Sequence, residues 1–266
     1  MPVSHSPRPQ WSPFERYRRS LWLLTVRDLR VRYSTSALGY VWSILDPLVM
    51  ASIYWFVFTQ VFDRPVGEQP YIVFLLVALL PWMWFNGAIS DSTRAFIREA
   101  KLVRSTKLPR TIWVNRIVLS KGIEFIASIP VLAVFAIFSP GAELHWQVVF
   151  FPLAVLLQGM LVIGIGLIVA PLVVFFRDLE RATKLALRFL FYASPIIYGI
   201  TDLPENLQFW ASFNPLAGIF SLYRGAFFPD QLAWDTIGIG AAMSVVFLLI
   251  GLLVFRRSER AVLKEI

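Results

Sequence analysis

Clustered guanidinium groups carry most of the chemistry this chain can offer. The stretch RDLRVRY at 27–33 sets Arg27, Arg30 and Arg32 within six residues and follows them with Tyr33. Arginine binds multivalent anions through two-pronged, charge-assisted hydrogen bonds, so the stretch offers a surface where an anionic lipid headgroup could collect. A plain interfacial anchor is the other reading. In DSTRAFIREAKLVRSTKLPR, 91–110, helical spacing puts Arg94, Arg98 and Lys101 on one face and Phe96, Ala100 and Val103 on another. Asp91 or Ser92 would cap this helix and Pro109 would stop it. It reads either as a basic loop held to anionic lipid or as a lever docking into a soluble partner.

Chemistry of other kinds is missing from the sequence. There is no cysteine, no HExxH and no phosphate-binding G-x-x-x-x-G-K-[ST] loop, and the two histidines, His5 and His145, are far apart. Metal: none and catalytic residues: none are the resulting expectations, and any nucleotide hydrolysis would come from a partner. Among the ionisable residues of apolar stretches, Lys121 and Glu124 are spaced to pair at i, i+3, and Asp46-Pro47 reads as a kink.

The elements that must position these groups are apolar. Hydrophobic residues make up 57% of the 266 and charged residues 16%, which excludes an ordinary soluble domain. Long apolar stretches cover 37–62, 70–90, 112–138, 148–176 and 236–255, each enough to span a bilayer. Two weaker candidates are 175–199 and 209–228. Lysine and arginine orient the chain: 23 of the 25 fall before 37, within 91–121, within 177–188 or after 255. If all four regions are cytoplasmic, both termini lie inside and the number of crossings is even, so one weak candidate does not cross. Crossing at 209–228 would carry Arg224 into the bilayer at roughly 2.5–3.5 kcal/mol on insertion scales. A crossing at 183–200 needs only snorkelling by Lys184 and Arg188. The expected fold class is therefore all-α integral membrane with six transmembrane helices. An N-terminal amphipathic helix lies in 1–36, the transmembrane domain covers 37–256 and a cytoplasmic tail 257–266. The segment 204–228 becomes a re-entrant outer helical pair broken at Asn214-Pro215. The first apolar stretch is too long for a signal-peptide core and is expected to be retained. With its positive charge explained by topology, the chain is expected to bind no nucleic acid.

Aromatic residues form 15% of the chain. Ser43, Pro47, Met50, Tyr54 and Phe58 make a stripe along the first span, and Phe191, Tyr192 and Tyr198 sit on the fifth. Rings and hydroxyls of this kind suit a carbohydrate chain, although lipid-facing aromatics give the same pattern. Gly238, Gly240, Ala242 and Ser244 in the last span read as small-residue helix contacts.

Taken together, RDLRVRYSTSALGYVWSILDPL (27–48), KLVRSTKLPR (101–110) and FRDLERATKLALRFLFYASPIIYGITDLPENLQFWASFNPLAGIFSLYRGAF (176–227) resemble the permease subunit of ABC-2-type polysaccharide exporters. These export O-antigen, teichoic acid or a mycobacterial-type galactan. The resemblance implies a multi-pass protein of the bacterial inner membrane, working as a homodimer with two ABC ATPase subunits that bind ATP and Mg. It implies a polysaccharide on a polyprenyl diphosphate lipid, first met at Arg27, Arg30, Arg32 and Tyr33. A coupling helix within 91–107 would dock on the ATPase through Arg94, Arg98, Glu99, Lys101, Leu102 and Arg104. Tyr40, Ser43, Tyr54, Phe58, Phe191, Tyr192 and Tyr198 would line the channel. Trp210, Phe213, Asn214, Pro215, Tyr223 and Arg224 would form the outer gate. One departure is Lys107, where the family often has phenylalanine two residues before the proline. A drug- or lipid-exporting ABC-2 permease and a polytopic enzyme acting on polyprenyl-linked sugars are the competing readings. The enzyme would need clustered outer carboxylates, whereas Asp63, Glu68, Glu143, Asp202, Glu205, Asp230 and Asp235 are scattered in sequence.

Overall fold

A computed structural model describes residues 12–34, 41–61 and 66–265, with the backbone alone at Tyr33, Ser43 and Ile44. Tyr40 lies outside the described residues, as do the side chains of Tyr33 and Ser43. The helices are α1 (Pro13–Ser34), α2 (Trp42–Trp55, continued by a π-helical turn at Phe56–Val61), α3 (Tyr71–Ser92), α4 (Ala100–Ser105) and α5 (Ile112–Phe138). They continue with α6 (Phe151–Phe175), α7 (Leu179–Ala193), α8 (Glu205–Ser212), α9 (Pro215–Arg224) and α10 (Trp234–Glu265), and no strand occurs among the described residues.

The helix α3 is hydrophobic on every side and is the axis of the bundle, with Val73 to Leu80 almost fully buried. Gln158 of α6, itself buried, donates to the Pro81 carbonyl at 2.7 Å and ties the two helices at mid-height. By contrast α5 and α10 leave Ile126, Val134 and Ile137, and Val246, Leu249 and Leu253, exposed. Apolar faces of that extent need hydrocarbon or another protein surface against them. Four segments, 71–92, 112–138, 146–175 and 234–265, are long and apolar enough to cross a membrane.

The tightest helix contact joins α6 to α10. A Cβ on Gly164 would lie 2.5 Å from the Phe247 carbonyl group, and one on Gly251 would collide with the Gly164 carbonyl. Two backbones can meet this closely only where neither residue has a side chain. The small residues Gly240 and Ser244 are buried on the same helix, whereas Gly238 and Ala242 face away from the packing. The expected stripe is thus half right, because the contact face follows 240, 244, 247 and 251.

Two segments depart from their expected lengths. The helix α7 stops at Ala193, because Pro195 disfavours helical geometry at Ser194, whose ψ is 148°. Its 15 residues cover about 22 Å, and a bent, non-helical segment follows at 194–199. One end of 179–199 meets Arg94 through Glu180, and the other meets Tyr71, whose hydroxyl donates to the Ile197 carbonyl at 2.9 Å. The expected tail 257–266 is instead a continuation of α10 through Glu265. At 32 residues this helix is about 48 Å long and outruns a ~30 Å hydrocarbon core, carrying Arg256, Arg257, Arg260 and Lys264 on its overhang.

Candidate functional site

The basic end of the bundle is built from α1. Ser12 and Glu15 close a reciprocal cap on it: the Ser12 amide donates to Glu15 Oε2 at 2.8 Å and the Glu15 amide to Ser12 Oγ at 3.2 Å. The S-P-F-E spacing was the available signal for that start. Tyr17, Leu21, Leu24, Thr25 and Leu29 turn toward the core, and the Tyr17 hydroxyl accepts from Asn115 of α5 at 2.7 Å. Phe14, Trp22, Leu23 and Val31 are exposed. Exposed apolar and basic residues on one helix fit a position in a headgroup layer.

The three arginines expected at the headgroup surface do not behave alike. Arg27 donates to Glu99 at 2.7 Å and also contacts Asp28, while Arg32 donates to Asp91 at 3.0 Å and Glu124 at 2.8 Å. Arg30 is exposed and makes no ion pair among the described residues. Arg116 of α5, only 4% exposed at its side chain, donates to Asp28 at 2.8 Å and lies 3.6 Å from Glu99. Lys121 and Glu124 pair at 3.0 Å, as their spacing implies, and Arg32 shares that carboxylate. Buried or half-buried charges require partners of this sort, since desolvation alone would expel them.

The segment after α3 is the hub of these pairs. It is not one helix over 91–107: α3 runs on through Ser92, turns occupy 93–99, and only Ala100–Ser105 is α-helical. Asp91 and Ser92 therefore end a helix instead of starting one. Hydrophobic contacts override the expected cap, since Ala95, Phe96 and Val103 are buried and Phe96 packs 6.0 Å from Phe255. Asp91 and Glu99 reach α1, and Arg94 pairs with Glu180 at the start of α7. Lys184 also donates to Glu180, at 2.7 Å, and the two cations hold this carboxyl down to about 2. Leu102 is half-buried, while Arg98, Lys101 and Arg104 point out as an unshielded cationic surface. Asp28, Arg116 and Glu180 escaped the sequence reading. Their only signal is acidic residues, or a cation near an apolar run, inside strongly basic segments.

The aromatic groups of α2 and α7 do meet. Tyr54 lies 5.8 Å from Phe191, whose ring is 5.5 Å from Trp82 and 5.1 Å from Tyr192. Phe58 packs 6.3 Å from Tyr71. Phe191 is buried, its ring enclosed by Trp82 and Tyr54 in the core. Tyr192 is exposed, and Tyr54 and Tyr198 are half-exposed. Tyr198 donates to the Tyr192 carbonyl at 2.9 Å, folding the bent segment back on α7.

At the other end, the expected break at Asn214-Pro215 separates α8 from α9. Asn214 caps α9 by accepting from the Leu216 amide at 3.0 Å, and it donates to Ser194 at 2.8 Å; Pro215 occupies the first helical turn. The two helices are unequal. Every residue of α9 from Leu216 to Arg224 is buried, whereas α8 exposes Phe209 and Trp210, with Phe213 exposed just beyond its last turn. Tyr223 is buried in the aromatic group of Phe125 and Phe151. Arg224, 2% exposed, donates to the carbonyls of Ile196 at 2.8 Å and Tyr198 at 3.3 Å, with its guanidinium 3.7 Å above the Phe74 ring. Asp202 accepts from the amides of Gly67 at 2.8 Å and Gly199 at 2.7 Å, which joins the loop before α3 to the turn after α7.

An ionic hub at one end and a buried arginine beneath a surface helix at the other are linked by α7 and the chain that follows it. Residues 19–228 match the family described as ABC-2 type transporter. The O-antigen export system permease protein RfbA of Klebsiella pneumoniae is 34% identical over 238 residues, covering 88% of this chain and 90% of the relative. The protein of the same name from Myxococcus xanthus is 29% identical, with 92% and 95% covered. The polysialic acid transport protein KpsM of Escherichia coli is 25% identical, with 95% and 98% covered. This chain belongs to the ABC-2 type transporter family of membrane permeases.

Proposed function

We propose that the chain is the transmembrane permease subunit of an ATP-driven polysaccharide exporter. What carries the reading is its similarity to O-antigen export permeases and a polysialic acid transport protein along nearly the full length of both chains. In this reading six segments cross the inner membrane, with both termini cytoplasmic: 41–61, α3, α5, α6, 183–200 and α10. The concentration of arginine and lysine at the end that carries α1, α4 and the overhang of α10 supports that orientation. Two copies of the chain enclose the channel. Two separate ATPase subunits bind ATP and Mg, docking on Arg98, Lys101, Leu102 and Arg104.

The ion pairs support a route for the stroke. A push on 93–105 passes to α1 through Asp91–Arg32 and Glu99–Arg27, and to α7 through Arg94–Glu180. Movement of α7 reaches the outer end by way of 194–199, which Arg224 grips. Arg30, unpaired beside the anchored Arg27 and Arg32, meets the diphosphate of a polyprenyl-linked substrate. With α9 locked in the core, α8 is the part of the outer pair free to move.

Deleting the coding sequence should abolish surface polysaccharide and leave lipid-linked polymer inside the cell, and plasmid-borne copies should restore export. Undiminished surface polymer in the deletion strain would reject the function. Topology has its own check: a cysteine at Thr201 should react with an impermeant maleimide from outside, and labelling confined to inverted vesicles would reverse the orientation.

A further inference from the structure

A cavity of about 440 Å³ opens at the outer end between α8, α9 and 229–236. Its size falls in the range of small-molecule sites, roughly 300–1,000 Å³. None of the basic-end pairs and none of the stacked aromatics of α2 and α7 contributes to it.

Its walls combine a ring with hydroxyl-seeking polar groups. Phe209, 61% exposed, supplies an apolar platform. Gln208 donates one amide hydrogen to the Leu203 carbonyl and Gln231 one to Glu68, which fixes the two side chains and leaves both amide oxygens as acceptors. Glu205 and Asp230 are exposed carboxylates at the rim. Arg224 closes the inner wall as a buried cation, and its fully buried Nε–H has no acceptor among the described residues.

We propose that this cavity seats one glycosyl residue of the exported chain, and that it selects neutral or amino sugars over acidic ones. This rests on the proposed function and names the substrate class at its exit. A pyranose presents an apolar C–H face to Phe209 while its hydroxyls donate to the Gln and carboxylate oxygens. Two carboxylates against one guanidinium leave the site net negative, so a uronic acid is repelled and a protonated amino sugar is attracted. Among the described residues no three acidic or histidine side chains gather, so a hydroxylated ligand fits these groups better than a divalent cation.

Saturation-transfer NMR on the purified full-length permease tests this with D-galactose, D-glucosamine and D-galacturonate as probes. Galactose and glucosamine should give signals, and galacturonate should bind at least about tenfold more weakly. The double variant Glu205→Gln/Asp230→Asn, changed only at exposed positions, should close that gap. Ser212→Trp, which fills the cavity from half-buried α8, should remove the galactose signal. Equal binding of galactose and galacturonate by the unaltered protein would overturn the selectivity, and a galactose signal indifferent to Ser212→Trp would overturn the site. Because binding is read without transport, these failures are separable from loss of the proposed function, which the deletion strain decides alone.

Discussion

Replacing Arg224 by methionine isolates what the outer end depends on. The side chain stays unbranched but becomes shorter and loses every donor, so the Ile196 carbonyl at 2.8 Å and the Tyr198 carbonyl at 3.3 Å lose their partner in a site only 2% exposed. Each orphaned buried acceptor costs about 1–3 kcal/mol. The cation over Phe74 at 3.7 Å contributes up to about 2 kcal/mol when desolvated. Methionine also removes the penalty of burying a guanidinium, which is several kcal/mol. The net loss expected is about 2–4 kcal/mol, concentrated on 194–202. Arg224→Lys keeps the charge above Phe74 but cannot fork between two carbonyls, and should lose about half as much. Chemical unfolding of the detergent-purified protein measures the total, and proteolysis of 196–214 locates it. If Arg224→Met is as stable as the parent, or Arg224→Lys is worse than Arg224→Met, the arginine is not what holds this turn.

Other perturbations probe separate parts of the fold. Gly251→Val should destabilise by at least ~3 kcal/mol, because its side chain meets the Gly164 carbonyl, while Gly238→Ala should be neutral, with nothing within 4 Å of the added carbon; equal unfolding midpoints would refute that contact. Asp28→Asn strips buried Arg116 of its nearest carboxylate and should cost about 3 kcal/mol, and adding Arg116→Met should recover much of it. A double variant no more stable than Asp28→Asn alone would show that the pair is not the source of the loss. Glu180 is held to about 2 by Arg94 and Lys184, so what its charge contributes is present above the ordinary carboxyl range near 4.5 and is lost as pH falls toward 2. The stability gap between parent and Glu180→Gln should therefore stay constant from pH 8 to pH 5 and close only below; a gap that closes at neutral pH contradicts the pairing.

Apolar run length and the placement of arginine were readable before any contact was known, because crossing a bilayer depends on hydrophobicity summed along the chain and orientation on charge counted loop by loop. The break between α8 and α9 was also local, since Asn-Pro both caps and starts a helix. So was the Lys121–Glu124 pair. Which side of a helix is buried was not local. Tyr54, Phe191 and Tyr192 look equivalent as aromatics, yet only the placement of Trp82 puts one of them in the core. Arg27, Arg30 and Arg32 look equivalent as cations until Glu99, Asp91 and Glu124, all more than fifty residues distant, neutralise two of the three. The sequence by itself determined that this chain is a helical membrane protein whose basic residues cluster in a few segments between and beyond its apolar runs. The tertiary structure alone decided which cations remain free, where 91–107 bends and which half of the outer pair is locked, because each depends on partners that folding brings together from distant parts of the chain.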